Sequence, residues 1–254
     1  MTVPSFIKDK LPAVLQQFSK QKAQFSGATQ TDSLVCSTSG RIDLSFTDAN
    51  GNNQPDRGDS VTLMAVNCNE NGTVINGNMS LRFESVSGDV DYLPFAIEMS
   101  IVSNGLRMEN VGESIVTSGS LVMNMNVQSS SQLSLGIYAS NFVSTSTVNG
   151  IAKTYKQTNF AVNLNQDGSL TTMTFSGAVN VPSLGGNTVN VQTIAPITLI
   201  NGGNPTSGQL MFSTNQGGTI RVLANGSQNV VMALDSNADG TYESSSTIAW
   251  NELF

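Results

Sequence analysis

Seven Asn-Gly pairs punctuate this chain, at Asn50, Asn71, Asn76, Asn104, Asn149, Asn201 and Asn225. Both residues of such a pair accept positive φ, which a two-residue hairpin turn requires. Asp167-Gly168 and Asp239-Gly240 add turns of the same kind. Between the turns, side chains alternate. Met79, Leu81 and Phe83 oppose Ser80, Arg82 and Glu84; Phe95, Ile97, Met99 and Ile101 oppose Ala96, Glu98 and Ser100. Leu121, Met123, Met125 and Val127 continue the pattern, as do Leu133, Leu135 and Ile137, then Met173, Phe175, Val179 and Val181. A period of two is that of strands with one apolar face. Turns this close leave no room for crossover helices, so neighbouring strands must run antiparallel. The expected fold is all-β: a large curved antiparallel meander, half-barrel or rolled sheet, forming a single domain over residues 27–254.

The first 26 residues read differently. Leu11, Val14, Leu15, Phe18 and Phe25 recur at three- and four-residue spacing, with Lys and Gln on the other face. That pattern predicts an amphipathic helix over residues 4–25, packed on the sheet. Pro12 fits a first helical turn. Gly27 to Leu34 is rich in Ser, Thr and Gln and reads as a linker.

The charge is also divided. Net charge is −7 over 254 residues. Four lysines (Lys8, Lys10, Lys20, Lys22) stand against Asp9 alone near the N-terminus, so the remainder is more acidic than the total. An acidic body excludes nucleic acid as a partner, because phosphates demand clustered Lys and Arg. It suits divalent cations. Charged residues are only 11% of the chain, so Ser, Thr, Asn and Gln must supply its surface polarity. That texture is common among secreted β proteins. No apolar run approaches the ~20 residues of a membrane helix. An integral membrane protein is therefore not expected. No secretory leader is visible, and the chain reads as the mature part of a secreted protein or lipoprotein, any lipid anchor belonging to a native precursor.

Two segments carry a metal-ligand pattern. Asp48, Asn50, Asn52, the Gln54 carbonyl and Asp59 fall at positions 1, 3, 5, 7 and 12 of a calcium loop, with Asp56 at the water-bridging ninth position. Calcium is a hard cation that takes oxygen ligands, neutral amides included. Asp235, Asn237, Asp239, the Thr241 carbonyl and Glu243 repeat the order more weakly, since Ser246 stands at the twelfth position. The competing reading of both is an Asn/Asp-rich turn without an ion. Cys36 and Cys68 flank the first loop, and a disulfide closing it is expected; two inert buried thiols are the alternative.

The first loop resembles dockerin and EF-hand-type calcium loops, with Asp in place of the closing Glu. Its flanks, Arg41–Phe46 and Ser60–Ala65, read as strands, so the resemblance covers the loop and not the fold. Taken whole, the chain looks similar to secreted proteins and lipoproteins of Gram-negative bacteria. That likeness rests on the stretch from Cys36 through Gly58-Asp59-Ser60-Val61-Thr62-Leu63 to Cys68, and on Gly208-Gln209-Leu210 through Leu234–Glu243 to Trp250. It implies location and class only: periplasm, outer-membrane surface or secreted.

Catalysis has little to draw on. Histidine is absent, which closes the Ser-His-Asp and Cys-His routes. Arg82 with Glu84, and Arg107 with Glu109, read as ion pairs on a solvated face rather than as acid and base. Arg57-Gly58-Asp59 spells an adhesion tripeptide, a cheap match. Methionines on the apolar strand faces suit either an ordinary core or a surface for acyl chains. Three functions follow: a calcium-stabilised structural or binding protein outside the cytoplasm, without catalysis; a periplasmic carrier of lipid or another apolar ligand on the concave face; and an outer-membrane barrel. The partner is a protein, glycan or lipid that the sequence does not specify.

Overall fold

The computed structural model describes residues 29–250, apart from Asn53, Asp91 and Ser227. The helix expected over residues 4–25 lies outside the described residues. Fourteen strands follow among them: β1 Gln30–Val35, β2 Ser39–Thr47, β3 Ser60–Glu70, β4 Thr73–Ser87, β5 Phe95–Asn110, β6 Glu113–Ser129, β7 Gln132–Val148, β8 Ile151–Asp167, β9 Leu170–Val181, β10 Asn187–Ile200, β11 Pro205–Thr214, β12 Thr219–Ala224, β13 Asn229–Asp235 and β14 Ser244–Ala249. They form one antiparallel sheet whose spatial order is the sequence order, the meander expected from the turns. A 3-10 turn spans Pro182–Leu184, and among the described residues no helix is long and apolar enough to cross a membrane.

One boundary differs from expectation. Gln30 to Leu34 is strand, not linker: Gln30 pairs with Phe46 and Leu34 with Ile42 in unbroken register. The segment is too polar to announce itself as a strand. Its backbone is recruited by the edge that β2 offers, which is tertiary context overriding composition.

The described residues pack as two compact units, one reaching to Asn124 and including Phe142–Thr154, the other made of Met125–Asn141 and the residues from Tyr155 onward. In the first unit the alternation predicted from sequence becomes a dense apolar face. Ile42, Leu44 and Phe46 on β2, Val61 and Leu63 on β3, Met79, Leu81 and Phe83 on β4, and Ile97, Met99 and Ile101 on β5 are all buried. Each contributes about 1.5–3 kcal/mol by leaving water. The buried hydroxyls of Ser103 and Thr117 sit in the same unit and are both partnered: Ser103 Oγ donates to the Thr117 carbonyl at 3.0 Å, and Thr117 Oγ1 to the Leu106 carbonyl at 3.4 Å. The second unit has a smaller cluster, Ala224, Val230 and Trp250, backed by Val222 and Ile248. Most side chains on β8 to β11 are half-buried or exposed.

Five of the seven Asn-Gly pairs fall into two structural classes. Asn71, Asn149 and Asn201 sit at hairpin tips with φ of 51°, 50° and 53°, as a type I′ turn needs. Asn76-Gly77 and Asn104-Gly105 are not turns; they lie inside β4 and β5. There the register between the two strands shifts between Asn76 and Asn78. A Cβ on Gly77, whose φ is +108°, would stand 2.7 Å from the Gly105 carbonyl oxygen. The same device recurs on β9. Gly177 (φ +121°) faces Asn159 on β8, where a Cβ would stand 2.5 Å from the Asn159 oxygen, at another register shift. These are β-bulges, which bend a strand and sharpen its twist.

Cys36 and Cys68 are bridged, with Cα atoms 5.4 Å apart. The bridge ties the turn after β1 to β3 and encloses β2 and the first Asp-rich loop. Such a bridge marks an oxidising, extracytoplasmic environment.

Two outcomes are expected. Gly77→Ala and Gly177→Ala each lower the unfolding free energy by about 1–3 kcal/mol, read as a shifted denaturant midpoint, because each must leave its backbone conformation or displace the facing carbonyl. Reducing the Cys36–Cys68 bridge costs about 2–5 kcal/mol in the same measurement.

Candidate functional site: two Asp-rich loops

The first loop joins β2 to β3. Asp48, at its start, is buried, and Asp59, at its end, is 0% exposed. Asp59 acts as a clamp. Its Oδ1 accepts the Ala49 N–H at 2.8 Å, and its Oδ2 accepts the Asp56 N–H at 2.9 Å. The backbone of Gly58 and Asp59 exchanges two bonds with β4: Phe83 N–H donates to the Asp59 carbonyl and Gly58 N–H to the Phe83 carbonyl, both at 2.9 Å. Between the ends, side-chain oxygens at alternate positions fold the chain back on itself. Asp48 Oδ1 accepts the Gly51 N–H, Asn50 Oδ1 the Asn52 N–H, and Asn52 Oδ1 the Gln54 N–H. These are the local side-chain to backbone bonds that Asx residues make in turns.

Asp56 is the focus of the loop. Its Oδ2 accepts both the Asn50 amide, at 2.6 Å, and the Asn52 amide, at 2.5 Å. Its Oδ1 is buried and has no hydrogen-bond partner. A buried, unpaired acceptor costs about 1–3 kcal/mol, more when charged. Three carboxylates therefore share one small loop. The pKa of Asp59 is raised, first by burial, which outweighs its two backbone bonds, and then by the charges of Asp56 and Asp48.

The second loop, between β13 and β14, follows the same plan. Asp235, buried, accepts N–H groups from Asp239 and Gly240; Asn237 accepts Asp239 N–H; and Asp239 accepts Thr241 N–H at 2.7 Å. Glu243 closes it, its Oε2 accepting the Ser236 N–H at 2.8 Å. In both loops the closing carboxylate bonds the amide of the loop's second residue, Ala49 or Ser236. One oxygen each from Asp235, Asp239 and Glu243 lie within 4.8 Å of one another. Among the described residues Asp48, Asp56 and Asp59 make no such close group, because both Asp59 oxygens are turned to backbone amides. The loop with the weaker sequence pattern thus has the tighter cluster of carboxylates. Asp239 is exposed, and its carboxyl is held below its usual value by the Thr241 N–H and the Asn237 amide.

Other sequence candidates fall into place. Because Asp59 is wholly buried, Arg57-Gly58-Asp59 does not present its acid to a receptor. Arg107 and Glu109 pair as expected. Glu84 instead accepts the Ser100 hydroxyl at 2.7 Å, because the register between β4 and β5 shifts between Phe83 and Ser85. Two features escaped the sequence reading. Arg221 stacks over the Tyr242 ring at 4.3 Å, beside the second loop. Glu70, buried two residues after Cys68 on the same strand face, accepts the Ser37 N–H and caps the turn held by the disulfide. Its two-residue spacing from Cys68 was the available signal.

Asp59→Ala strands two amide donors and is expected to destabilise the protein by about 1–3 kcal/mol per buried donor. It also changes the pH profile. A carboxyl whose folded pKa is raised stabilises the fold fully below its unfolded value and loses that contribution as pH rises through the raised value. The metal-free wild type therefore loses melting temperature as pH climbs past the ordinary carboxylate range, and the Asp59→Ala variant loses that slope; thermal melts across pH measure both. No family model, curated protein or solved structure matches this chain.

Proposed function

We propose that this is an extracytoplasmic bacterial protein with a structural or binding role, non-catalytic, in which a divalent cation, calcium, completes the Asp48–Asp59 loop. The observation that carries this reading is Asp56 Oδ1: a carboxylate oxygen, buried, without a donor, in a loop that also holds Asp48 and Asp59. A hard cation relieves the like-charge repulsion and gives that oxygen a partner. Asp48, Asn50, Asn52, the Gln54 carbonyl, Asp56 and Asp59 are the proposed ligands. Asp235, Asn237, Asp239, the Thr241 carbonyl and Glu243 would form a second site, for which the spacing of the three carboxylates suits ion–oxygen distances of roughly 2.3–2.6 Å.

Such an ion would do mechanical work. The first loop is stitched to β4 through Asp59 and Phe83 and lies within the span closed by the disulfide, so cation binding would stiffen the β2–β3–β4 region. The outer face of β1–β4 then offers a binding surface. An open trough of about 670 Å³ runs across it, lined by hydroxyl, amide and carboxylate groups including Thr31, Asp43, Thr62 and Asn78, with Met64 half-exposed among them. Hydroxyl, amide and carboxylate groups stand there beside a larger share of apolar surface, the mixed lining that a protein or a glycan can meet. The carrier reading is less well supported, because Met79, Met99 and Met123 are packed into the core, at 2%, 0% and 5% exposure, and do not line an open surface. The resemblance of the loop to dockerin-type sites, the disulfide and the sheet's Ser/Thr/Asn-rich strands favour the periplasm, the outer-membrane surface or the external medium.

The test is a thermal melt with calcium or with chelator. A cation at a hundredfold excess over its dissociation constant adds about 2.7 kcal/mol. For a chain of this size that raises the melting temperature by about 5–10 °C. Asp56→Asn is expected to abolish the part of the shift contributed by the first loop while folding normally, and Asp239→Asn only the part contributed by the second loop. A melting temperature indifferent to calcium in the wild type rules the reading out.

A further inference from the structure

The Asn-Gly pairs differ in a way that bears on their chemistry. An Asn followed by Gly can lose ammonia: the glycine nitrogen attacks the asparagine Cγ, a five-membered imide closes, and ammonia departs. Water then opens the ring at either carbonyl, leaving aspartate or isoaspartate. Glycine is the most permissive successor because it has no side chain to obstruct the attack. The step needs a glycine nitrogen and an Asn side chain that are both free to leave their places.

Four of the pairs are restrained. Gly51 N–H is held by Asp48 Oδ1 at 2.6 Å, Gly72 N–H by Asn69 Oδ1 at 2.9 Å, and Gly105 N–H by Ser118 Oγ at 3.1 Å. Asn50 is bound at both ends of its amide, and Asn76 Oδ1 accepts the Asn67 N–H inside the sheet. Asn149 and Asn201 are different. Both are exposed, as are Gly150 and Gly202. Among the described residues, neither side chain nor the following N–H makes a hydrogen bond. Each tip is tied down by its own backbone N–H, Asn149 to the Gly112 carbonyl at 3.0 Å and Asn201 to the Ser169 carbonyl at 2.8 Å. Their positive φ keeps the nitrogen from the attack geometry while the turn is closed, so reaction waits on local opening, which costs least at exposed hairpin tips.

We propose that Asn149 and Asn201 are the sites at which this protein deamidates, through the imide, to aspartate and isoaspartate in its folded state. Each event adds a negative charge to an already acidic surface. The isoaspartate product also inserts a methylene into the main chain, which neither the two-residue turn at Asn149-Gly150 nor the connection 201–204 absorbs without giving up the bond to Gly112 or Ser169. Asn225-Gly226 is followed by Ser227, which lies outside the described residues, and does not enter the comparison.

Incubating the folded wild type at mildly alkaline pH in ¹⁸O-labelled water, then mapping peptides by mass spectrometry, reads the label at each site. Asn149 and Asn201 are expected to convert about two- to tenfold faster than Asn50, Asn71 and Asn104, the factor that one hydrogen bond represents. Ser118→Ala, which frees Gly105 N–H, is expected to accelerate Asn104 alone, and Asn69→Ala to accelerate Asn71 alone. Equal rates at all five sites, or faster conversion at Asn50, Asn71 or Asn104, overturn the proposal. So does an intact Asn149 and Asn201 when the same chain, unfolded in urea, converts at every Asn-Gly.

Discussion

The whole structure depends on one constraint: each strand must satisfy its backbone with the strands next to it in sequence. No crossover brings a distant segment between two neighbours, and the spatial order of the fourteen strands is their chain order. Register is then fixed at the tips. Once Asn71-Gly72 turns the chain, Glu70 must face Thr73, and the pairing of β3 with β4 runs outward from there until a register shift between Cys68 and Ala65 resets its phase. The tips also hold one another, as Asn149 does Gly112 and Gly168 does Ser131, so the ladder continues past the last paired residues. The apolar face of the first unit, from Phe46 to Ile101, is a consequence of that registration: a slip of one residue would turn every one of those side chains to the other face.

The two Asp-rich loops obey a related rule at smaller scale. A carboxylate at the end of each loop reaches back to the amide of its second residue, and alternate Asx oxygens bind the backbone between. This brings acids together that would otherwise repel. The cost shows in Asp59, whose proton is held more tightly than an ordinary carboxyl's, and in the unpaired oxygen of Asp56. The first loop therefore concentrates negative charge, and the raised pKa of Asp59 makes a proton one means of relieving it. Its connection to Phe83 makes the outcome a matter for the sheet and not for the loop alone.

Much of this fold was legible in the sequence because hairpin turns and one-sided burial both leave periodic marks. Met79-x-Leu81-x-Phe83 and Ile97-x-Met99-x-Ile101 could be placed on a buried face without coordinates. The same marks misled where one dipeptide serves two geometries. Asn76-Gly77 carries the letters of a turn, yet the glycine is there because the neighbouring strand's carbonyl occupies the space of a Cβ. Nothing local distinguishes the two uses. Gln30–Val35 was invisible for the opposite reason, since its strand character is conferred by the edge of β2. At the candidate site the alternation of Asp and Asn oxygens was readable, but not that Asp59 spends both oxygens on the backbone, nor that Asp235, Asp239 and Glu243 converge more closely than the first loop's acids.

Because spatial neighbours are always chain neighbours, no strand has to wait for a partner that has yet to be made. Each new hairpin can zip onto the last as the polypeptide emerges, with only a short loop to close. A chain threaded amino-terminus first through a narrow translocation pore could be assembled in the order of its delivery, its growing rim serving as the template for the next ribbon. The disulfide partners, both within the first third of the chain, would meet before the second half had arrived.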